Sequence, residues 1–312
     1  MANTSRPLVT VVINAYNGAR YLREAINSVY AQTMQDFEIV LFDDASTDET
    51  PKIAGEFDSR LRYARCDHNI PLGEARNRAL EISLGKYVSF LDQDDLFLPN
   101  KLSLQVAAFQ GDIALVFSNS IRFWEETGKE AIHYTSRPMD GNAFRALLRW
   151  YYLTINTVTI RKDALPDDRN WWFPPTFRMC EETDLFLRLA YQHPIAYVDE
   201  PLAKYRIHGS NFSLCHREYL ISEQNAILER LHGLIPGFAS RYADEVAVFR
   251  AEIKRTEAQI HWKKGHCRKA WKNYLEGLRL NPRPVYLAEM FLSAIFPYEV
   301  LPAIREFIGK PI

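Results

Sequence analysis

The chain has 312 residues, enough for one large domain or two smaller ones. Hydrophobic residues make up 47% and charged residues 25%, an ordinary globular composition. The 38 basic and 39 acidic residues leave a net charge of −1, so there is no basic excess of the kind a nucleic-acid binder shows.

The run "LVTVVIN" (Leu8–Asn14) is β-rich and apolar, and predicts a first strand. "ARYLREAINSVYAQ" then spaces Leu22, Ala25, Ile26 and Val29 as one face of a helix. "FEIVLF" is a second strand, and "TDETPKIAGEF" a short helix capped by Thr47 or Asp48. "LRYARC", "LGEARNRALEISL" and "KYVSFL" continue as strand, helix, strand. That alternation signals βαβ units, hence an α/β fold with a mostly parallel sheet flanked by helices. Strands apolar along their whole length suit a sheet covered on both faces.

Further on, the pattern is mixed. It predicts a helix near Leu102–Phe109, a strand at "IALVFSNS", and strands near "HYTS" and "NTVTIR". An aromatic loop, "NWWFPPTF", precedes a helix, "EETDLFLRLAYQ", and two short strands, "IAYV" and "LAKYRI". From about Leu214 the chain reads as helices only, so the expected division is residues 1–214 and an all-helical 215–312. In that tail Ala258, Gly265, Ala270, Tyr274, Leu278 and Pro282 fit one tetratricopeptide-like helix pair. The apolar end "VYLAEMFLSAIFPYEVLPAIREFIGK" suits either a bilayer face, as a peripheral contact, or a cover over core. Cys66, Cys180, Cys215 and Cys267 are too scattered for a zinc site and are expected as thiols of a reducing compartment. The start "MANTSRPLVTVVIN" lacks a signal-peptide pattern, and no segment has the ~18 uninterrupted apolar residues of a membrane span. The expected location is cytoplasmic.

In an open parallel sheet, ligands bind beyond the carboxyl ends of the strands. Asn14, Tyr16 and Asn17 follow the first strand; Asp43, Asp44, Ser46 and Asp48 follow the second; Asp92, Asp94 and Asp95 follow the fourth. Topology alone brings these sets to one edge. Carboxylates packed this closely repel unless a cation joins them or some are protonated. A hard divalent ion with oxygen ligands, Mg²⁺ or Mn²⁺, shared with a diphosphate fits that pattern. Neither G-x-G-x-x-G nor G-x-x-x-x-G-K-[ST] occurs, which argues against a dinucleotide dehydrogenase and a P-loop NTPase.

"VTVVINAYNGARYLREAINSVYAQTMQDFEIVLFDDASTDET", "GEARNRALEISLGKYVSFLDQDD" and "EETDLFLRLA", taken in order, resemble the family 2 (GT-A fold) glycosyltransferases from about Pro7 to Ser213. The resemblance implies inverting transfer of a sugar from a nucleotide-diphosphate donor, UDP being usual, to a hydroxyl of a saccharide or lipid-linked saccharide acceptor in surface-glycan synthesis. Residues 1–110 would form the nucleotide-sugar half and 111–214 the acceptor half. Asn14, Tyr16, Asp44 and Arg76 match nucleotide-binding positions, and "DQDD" matches the D-x-D element. Asp92 would then face the ribose and metal, Asp94 would be the direct metal ligand, and Asp95 would serve the acceptor or orient the loop.

The resemblance places a catalytic base at the start of the "EETDLFLRLA" helix, where Glu182 stands in place of the usual Asp and Asp184 is the second candidate. Glu182 shares a face with Leu185, Phe186 and Leu189, whereas Asp184 lies nearly opposite and can pair with Arg188 at the surface. Glu182 is therefore favoured. His208, in "KYRIHGSNFS", is a candidate for the diphosphate or the metal, with Arg206 and Ser213 weaker. Trp171, Trp172 and Phe173 are candidates for an acceptor wall, with ordinary core as the competing expectation. The rival readings are a sugar-nucleotide nucleotidyltransferase and a catalytically degenerate fold acting as a binding module.

Overall fold

The structure is a computed structural model and describes residues 6–169 and 172–298. Strand β1 (Val9–Ala15) pairs in parallel with β2 (Phe37–Asp43) on one side and with β4 (Tyr87–Asp92) on the other, and β3 (Leu61–Arg65) extends the sheet beyond β2. Helices α1 (Leu22–Tyr30), α2 (Thr50–Ala54) and α3 (Leu72–Ile82) make the crossovers. Leu22, Ala25, Ile26 and Val29 of α1 are all buried, as their spacing requires. β1 and β2 are buried almost throughout, which is why they carry near-continuous apolar runs. The order β3-β2-β1-β4 reverses direction between β1 and β4. Such a switch point opens a crevice at the carboxyl ends of the two strands. Register sets Asn14 beside both Phe42 and Asp92, and Ala15 beside Asp43, so the polar residues of three strand ends stand at one level.

The rest of the sheet is mixed. After β5 (Leu96–Phe97) and α4 (Lys101–Ala107) come β6 (Leu115–Trp124), β7 (Glu130–Ile132), α5 (Phe144–Arg149), β8 (Thr159–Arg161), α6 (Glu181–Gln192) and β9 (Ile195–Ile207). From β4 the order continues β8-β6-β9-β5, with β7 on β6; β8 runs antiparallel to both neighbours and β9 parallel to β6. The strand expected near "HYTS" lies earlier, at Glu130–Ile132, where it pairs Ile121–Phe123. "NTVTIR" divides into a 3-10 turn, Ile155–Thr157, and the three-residue β8, since only Thr159–Arg161 pair with β4. "IAYV" and "LAKYRI" form one strand, β9. The break between them is a bulge, where the register against β6 slips on both sides of Asn119, which stands opposite Pro201. Under this part of the sheet Lys101 is fully buried, its ammonium donating to Ser89 Oγ (3.0 Å) and Gln105 Oε1 (2.6 Å) and lying 4.4 Å from the Phe97 ring.

The chain divides into two compact units. One runs through Phe144 and resumes at Tyr152–Gly209; the other joins Arg145–Tyr151 to the chain from Ser210 onward. The segment Arg145–Tyr151, expected in the α/β part, groups with the helical unit because Arg145 and Arg149 both bind the buried Glu245, at 2.9 and 3.0 Å. The helical unit comprises α7 (Phe212–Cys215), α8 (Glu218–Leu234), α9 (Phe238–Arg241), α10 (Ala243–Lys263), α11 (Cys267–Leu280) and α12 (Pro284–Ile295). Ala258, Ala270 and Tyr274, with Ala251, Trp262 and Tyr286, form its buried cluster, so α10 and α11 pack as a helix pair with α12 against them. No disulfide joins the four cysteines. Among the described residues no helix is long and apolar enough to cross a membrane.

Candidate active site

At the β1 and β2 ends the backbone turns sharply, and two non-glycine residues, Asn17 (φ 49°) and Ala45 (φ 60°), adopt left-handed conformations. Such conformations are uncommon outside glycine, and they persist where surrounding contacts hold them. Here Asn17 N–H donates to Ser46 Oγ (2.9 Å), and Asn17 Oδ1 accepts from Thr47 N–H (2.8 Å). Asp43 is fully buried and accepts from Ser46 N–H (2.8 Å) and Tyr63 O–H (2.5 Å). Asp44 accepts from Asn69 Nδ2 (2.6 Å) and Ile70 N–H (2.9 Å). Its burial raises the carboxyl pKa, against the opposing pull of the Ile70 N–H. Asn14 Nδ2 is buried and makes no hydrogen bond among the described residues. It is therefore a donor suited to an acceptor atom supplied from the crevice. Tyr16 is half exposed at the rim.

The turn after β4 is clamped on both sides. Gln93 accepts from Tyr16 N–H (2.9 Å) and donates to Tyr16 O (3.2 Å), tying β4 to the end of β1. Gly18 leaves room for this amide, since a Cβ there would come within 2.2 Å of Gln93 Oε1. On the other side, Asp95 is buried and its carboxylate accepts from Asn156 Nδ2 (2.6 Å) and Arg206 N–H (2.8 Å). Burial, then the neighbouring Asp94 and Asp92, raise its pKa well above the ordinary range. Both Asp95 oxygens are thus engaged in holding the turn to β9 and to Asn156. Arg206 Nε also donates to Asp94 O (2.9 Å), and its other arm binds Glu24 (2.6 Å).

Asp94 keeps a partly exposed carboxylate whose Oδ2 lies 2.9 Å from His208 Nε2. At that distance the two side chains share a direct hydrogen bond, whose donor depends on the His208 tautomer. Of the expected trio Asp92, Asp94 and His208, the last two are in contact, and Asp92 Oδ1 is bound by Arg76 at 3.0 Å. Among the described residues no three His, Cys, Asp or Glu side chains form a metal-sized group. A cation here would take its remaining ligands from phosphate and water, as Mg²⁺ commonly does.

Arg76 was expected to face a nucleotide, yet it is buried and its guanidinium joins three carboxylates. It binds Asp92, pairs closely with Glu181, and lies 3.7 Å from Glu182. Helix α3 therefore links the β4 end to the first turn of α6. Burial raises the Asp92 pKa, the adjacent Asp94 adds to this, and Arg76 opposes it. Glu182 is raised well above the usual glutamate range, by burial first and then by Glu181, with Arg76 again opposing. Asp184 is elsewhere. It forms the expected ion pair with Arg188 at 2.8 Å, but that pair is buried rather than at the surface, since α6 is enclosed on nearly all sides. The structure thus brings Glu182 to the Asp92 cluster and leaves Asp184 in the core.

Of the aromatic loop, Phe173 is fully buried against Phe90 and is core. Trp172 is half-buried, its indole N–H bound to Pro166 O at 2.8 Å. Trp171 lies outside the described residues. The segment after these aromatics presses on the start of α3: Gly73 N–H donates to Phe177 O (3.1 Å), and a Cβ on Gly73 would fall 2.0 Å from Pro174 O. Gln93, Glu181 and Arg206 carry more of this architecture than their sequence context suggests. The one signal for Gln93 is its place inside "DQDD", and for Glu181 its place beside Glu182.

The family model for Glycosyl transferase family 2 matches residues 10–166, just over half of the chain. The chain belongs to this family. An uncharacterized glycosyltransferase of Rickettsia felis is 32% identical over 205 residues, which cover 64% of this chain and 33% of the relative. The chain thus spans about a third of that relative's length. Among solved structures, S. aureus TarS 1-349 matches with a TM-score of 0.62 at 19% identity, over 88% of this chain and 81% of that one, and its complex with UDP-GlcNAc matches at 0.56. The mannosyltransferase PcManGT from Pyrobaculum calidifontis, in complex with GDP-Man and Mn²⁺, gives 0.61 at 17% identity over 98% and 89%. At these identities the structural likeness carries the fold, which is of the GT-A type expected for the family 2 domain.

Proposed function

We propose that this protein is a metal-dependent inverting glycosyltransferase. It moves a sugar from a nucleotide-diphosphate sugar, with UDP the favoured nucleotide, to a hydroxyl of a saccharide or lipid-linked saccharide in surface-glycan synthesis at the cytoplasmic face. The observation that carries this reading is the Arg76 bridge. Arg76 binds Asp92 and lies 3.7 Å from Glu182, an acid with a raised pKa, which supports a proton acceptor beside the strand-end acids. Glu182 is the base: its carboxylate takes the acceptor hydroxyl's proton as that oxygen bonds to the anomeric carbon, and the bond from that carbon to the diphosphate breaks with its electron pair leaving on the nucleotide. Asn14, Tyr16 and Asp44 line the nucleotide side, and Asp92 faces the ribose. Asp94 and His208 would hold Mg²⁺ or Mn²⁺, which when bound neutralises charge on the leaving diphosphate. TarS binding UDP-GlcNAc and PcManGT binding GDP-Man with Mn²⁺ support a nucleotide-sugar donor and a divalent ion here.

Thermal denaturation with UDP, GDP or neither, each with Mn²⁺ or EDTA, tests the proposal. UDP with Mn²⁺ should raise Tm and EDTA should abolish the rise. A larger rise with GDP would reassign the nucleotide, and no rise with either would remove the donor site.

A further inference from the structure

The helical unit carries an exposed apolar strip that its own core does not use. On α12 the buried side is Tyr286, Glu289 and Ser293. Leu287, Phe291 and Ile295, spaced i, i+4, i+8, line the opposite side, with Phe291 62% and Ile295 71% exposed. The strip continues onto α11. Cys267 meets α12 through Ser293 O (3.7 Å), and Leu278 packs into the shared cluster. Trp271 and Leu275 stand one turn and two turns on from Cys267, on the same border, and both are exposed.

Beside this strip the charge is mostly basic. Residues 263–283 hold seven Lys and Arg and a single acid, Glu276, which pairs with Lys254 at 3.0 Å and more loosely with Lys272 at 3.9 Å. Arg268, Lys272 and Arg279 share the outer face of α11 and are exposed. The whole chain is close to neutral, so this is a local concentration of charge.

We propose that the outer faces of α11 and α12 dock on an anionic lipid bilayer. Phe291, Ile295 and Leu287 enter the boundary between headgroups and acyl chains, Trp271 sits at headgroup level, and Arg268, Lys272 and Arg279 meet the lipid phosphates. An amphipathic helix with apolar and basic faces lies in the interface in this manner, and aromatic rings favour headgroup depth. The basic residues select anionic lipid over neutral lipid, and salt screens the attraction. Neither helix crosses the bilayer, and the contact is independent of donor and metal.

The test is cosedimentation of the full chain, without nucleotide or metal, with vesicles of phosphatidylcholine alone or of phosphatidylcholine with phosphatidylglycerol. Binding to the anionic vesicles should exceed binding to the neutral ones by about ten-fold at low salt and fall in high salt. F291S/I295S and R268E/K272E/R279E should each weaken it by about ten-fold at unchanged Tm, since all five positions are exposed. Absence of wild-type binding at low salt overturns the proposal, as does binding that both variants retain. A dimer in light scattering that F291S/I295S dissolves, without vesicle binding, would assign the face to a second copy instead. Because the measurement omits donor and metal, its failure leaves the glycosyl-transfer reading standing, and the reverse also holds.

Discussion

Two acids at the strand ends, Asp44 and Asp95, are held by other means than two acids on α6, Glu181 and Asp184, while Asp92 at the end of β4 shares Arg76 with α6. Asp44 and Asp95 are fixed by amide donors, those of Asn69 and Ile70 and of Asn156 and Arg206 N–H, which set position without cancelling charge. Glu181 and Asp184 are each bound by a buried guanidinium, Arg76 and Arg188, which cancels it. Burial raises the pKa of both Asp44 and Asp95, whereas buried guanidiniums give Glu181 and Asp184 a counter-charge. Glu182 falls between the two: it is 3.7 Å from Arg76, partly exposed, and raised in pKa. That intermediate state suits a group that must take up and release a proton.

The largest effect that would break this comparison is on Glu182. E182Q should lower turnover by ~10²–10⁴-fold, the range of a general base, while leaving the Mn²⁺-dependent UDP shift in Tm intact. Turnover within a few-fold of wild type would place the base elsewhere. D94A should lower turnover by ~10²–10³-fold and remove the EDTA-sensitive shift as well, which separates the strand-end acids from those of α6. D184N should act on stability instead, costing about 3 kcal/mol by leaving Arg188 buried without its counter-ion. A D184N protein of wild-type Tm with no turnover would reverse the assignment of Glu182 and Asp184.

Smaller effects sharpen the comparison. Arg76 holds the Glu182 pKa down against burial, so its removal pushes that pKa higher. The acid limb of kcat/KM, along which activity is lost as pH falls and Glu182 protonates, should then move to higher pH in R76M and less so in R76K. A limb that stays in place would show that Arg76 does not act on Glu182. The smallest effect concerns Lys101, whose burial depresses its pKa well below the ordinary value. The unfolded chain then binds the extra proton, so folding is disfavoured increasingly as pH falls below the usual lysine pKa of ~10.4. K101M should stabilise the fold by about 1 kcal/mol, read as a higher Tm, and more at neutral pH than near pH ~10. A loss of Tm would mean that the bonds to Ser89 and Gln105 outweigh the cost of burying the amine.

Much of the strand-end set could be read from sequence, because βαβ alternation puts Asn14, Asp43 and Asp92 at one edge whatever their side chains do, and the register agrees. The Asp184–Arg188 pair was likewise given by helical spacing. Its burial was not, since that depends on what encloses α6. The facial argument favours Glu182 and sends Asp184 to the surface, whereas the structure buries Asp184 against Arg188 and sets Glu182 3.7 Å from Arg76. Arg76 turning inward, Gln93 reaching back 77 residues to Tyr16, and Arg206 gripping the turn after β4 are all through-space contacts with no periodic trace in the chain. β8 and the bulge in β9 were hidden too. An antiparallel insertion needs only three paired residues, and a proline within a strand reads as a break.

Gly73 has a mechanical consequence. With Pro174 O where its Cβ would be, and Phe177 O on its amide, the segment 174–177 and the start of α3 have no slack between them. Displacing that segment outward would drag α3, and with it Arg76, away from Asp92. A side chain at position 73 would have to push that segment or α3 aside, and Arg76 moves with α3, so the alignment of Asp92 with the start of α6 hangs on a single missing methyl group.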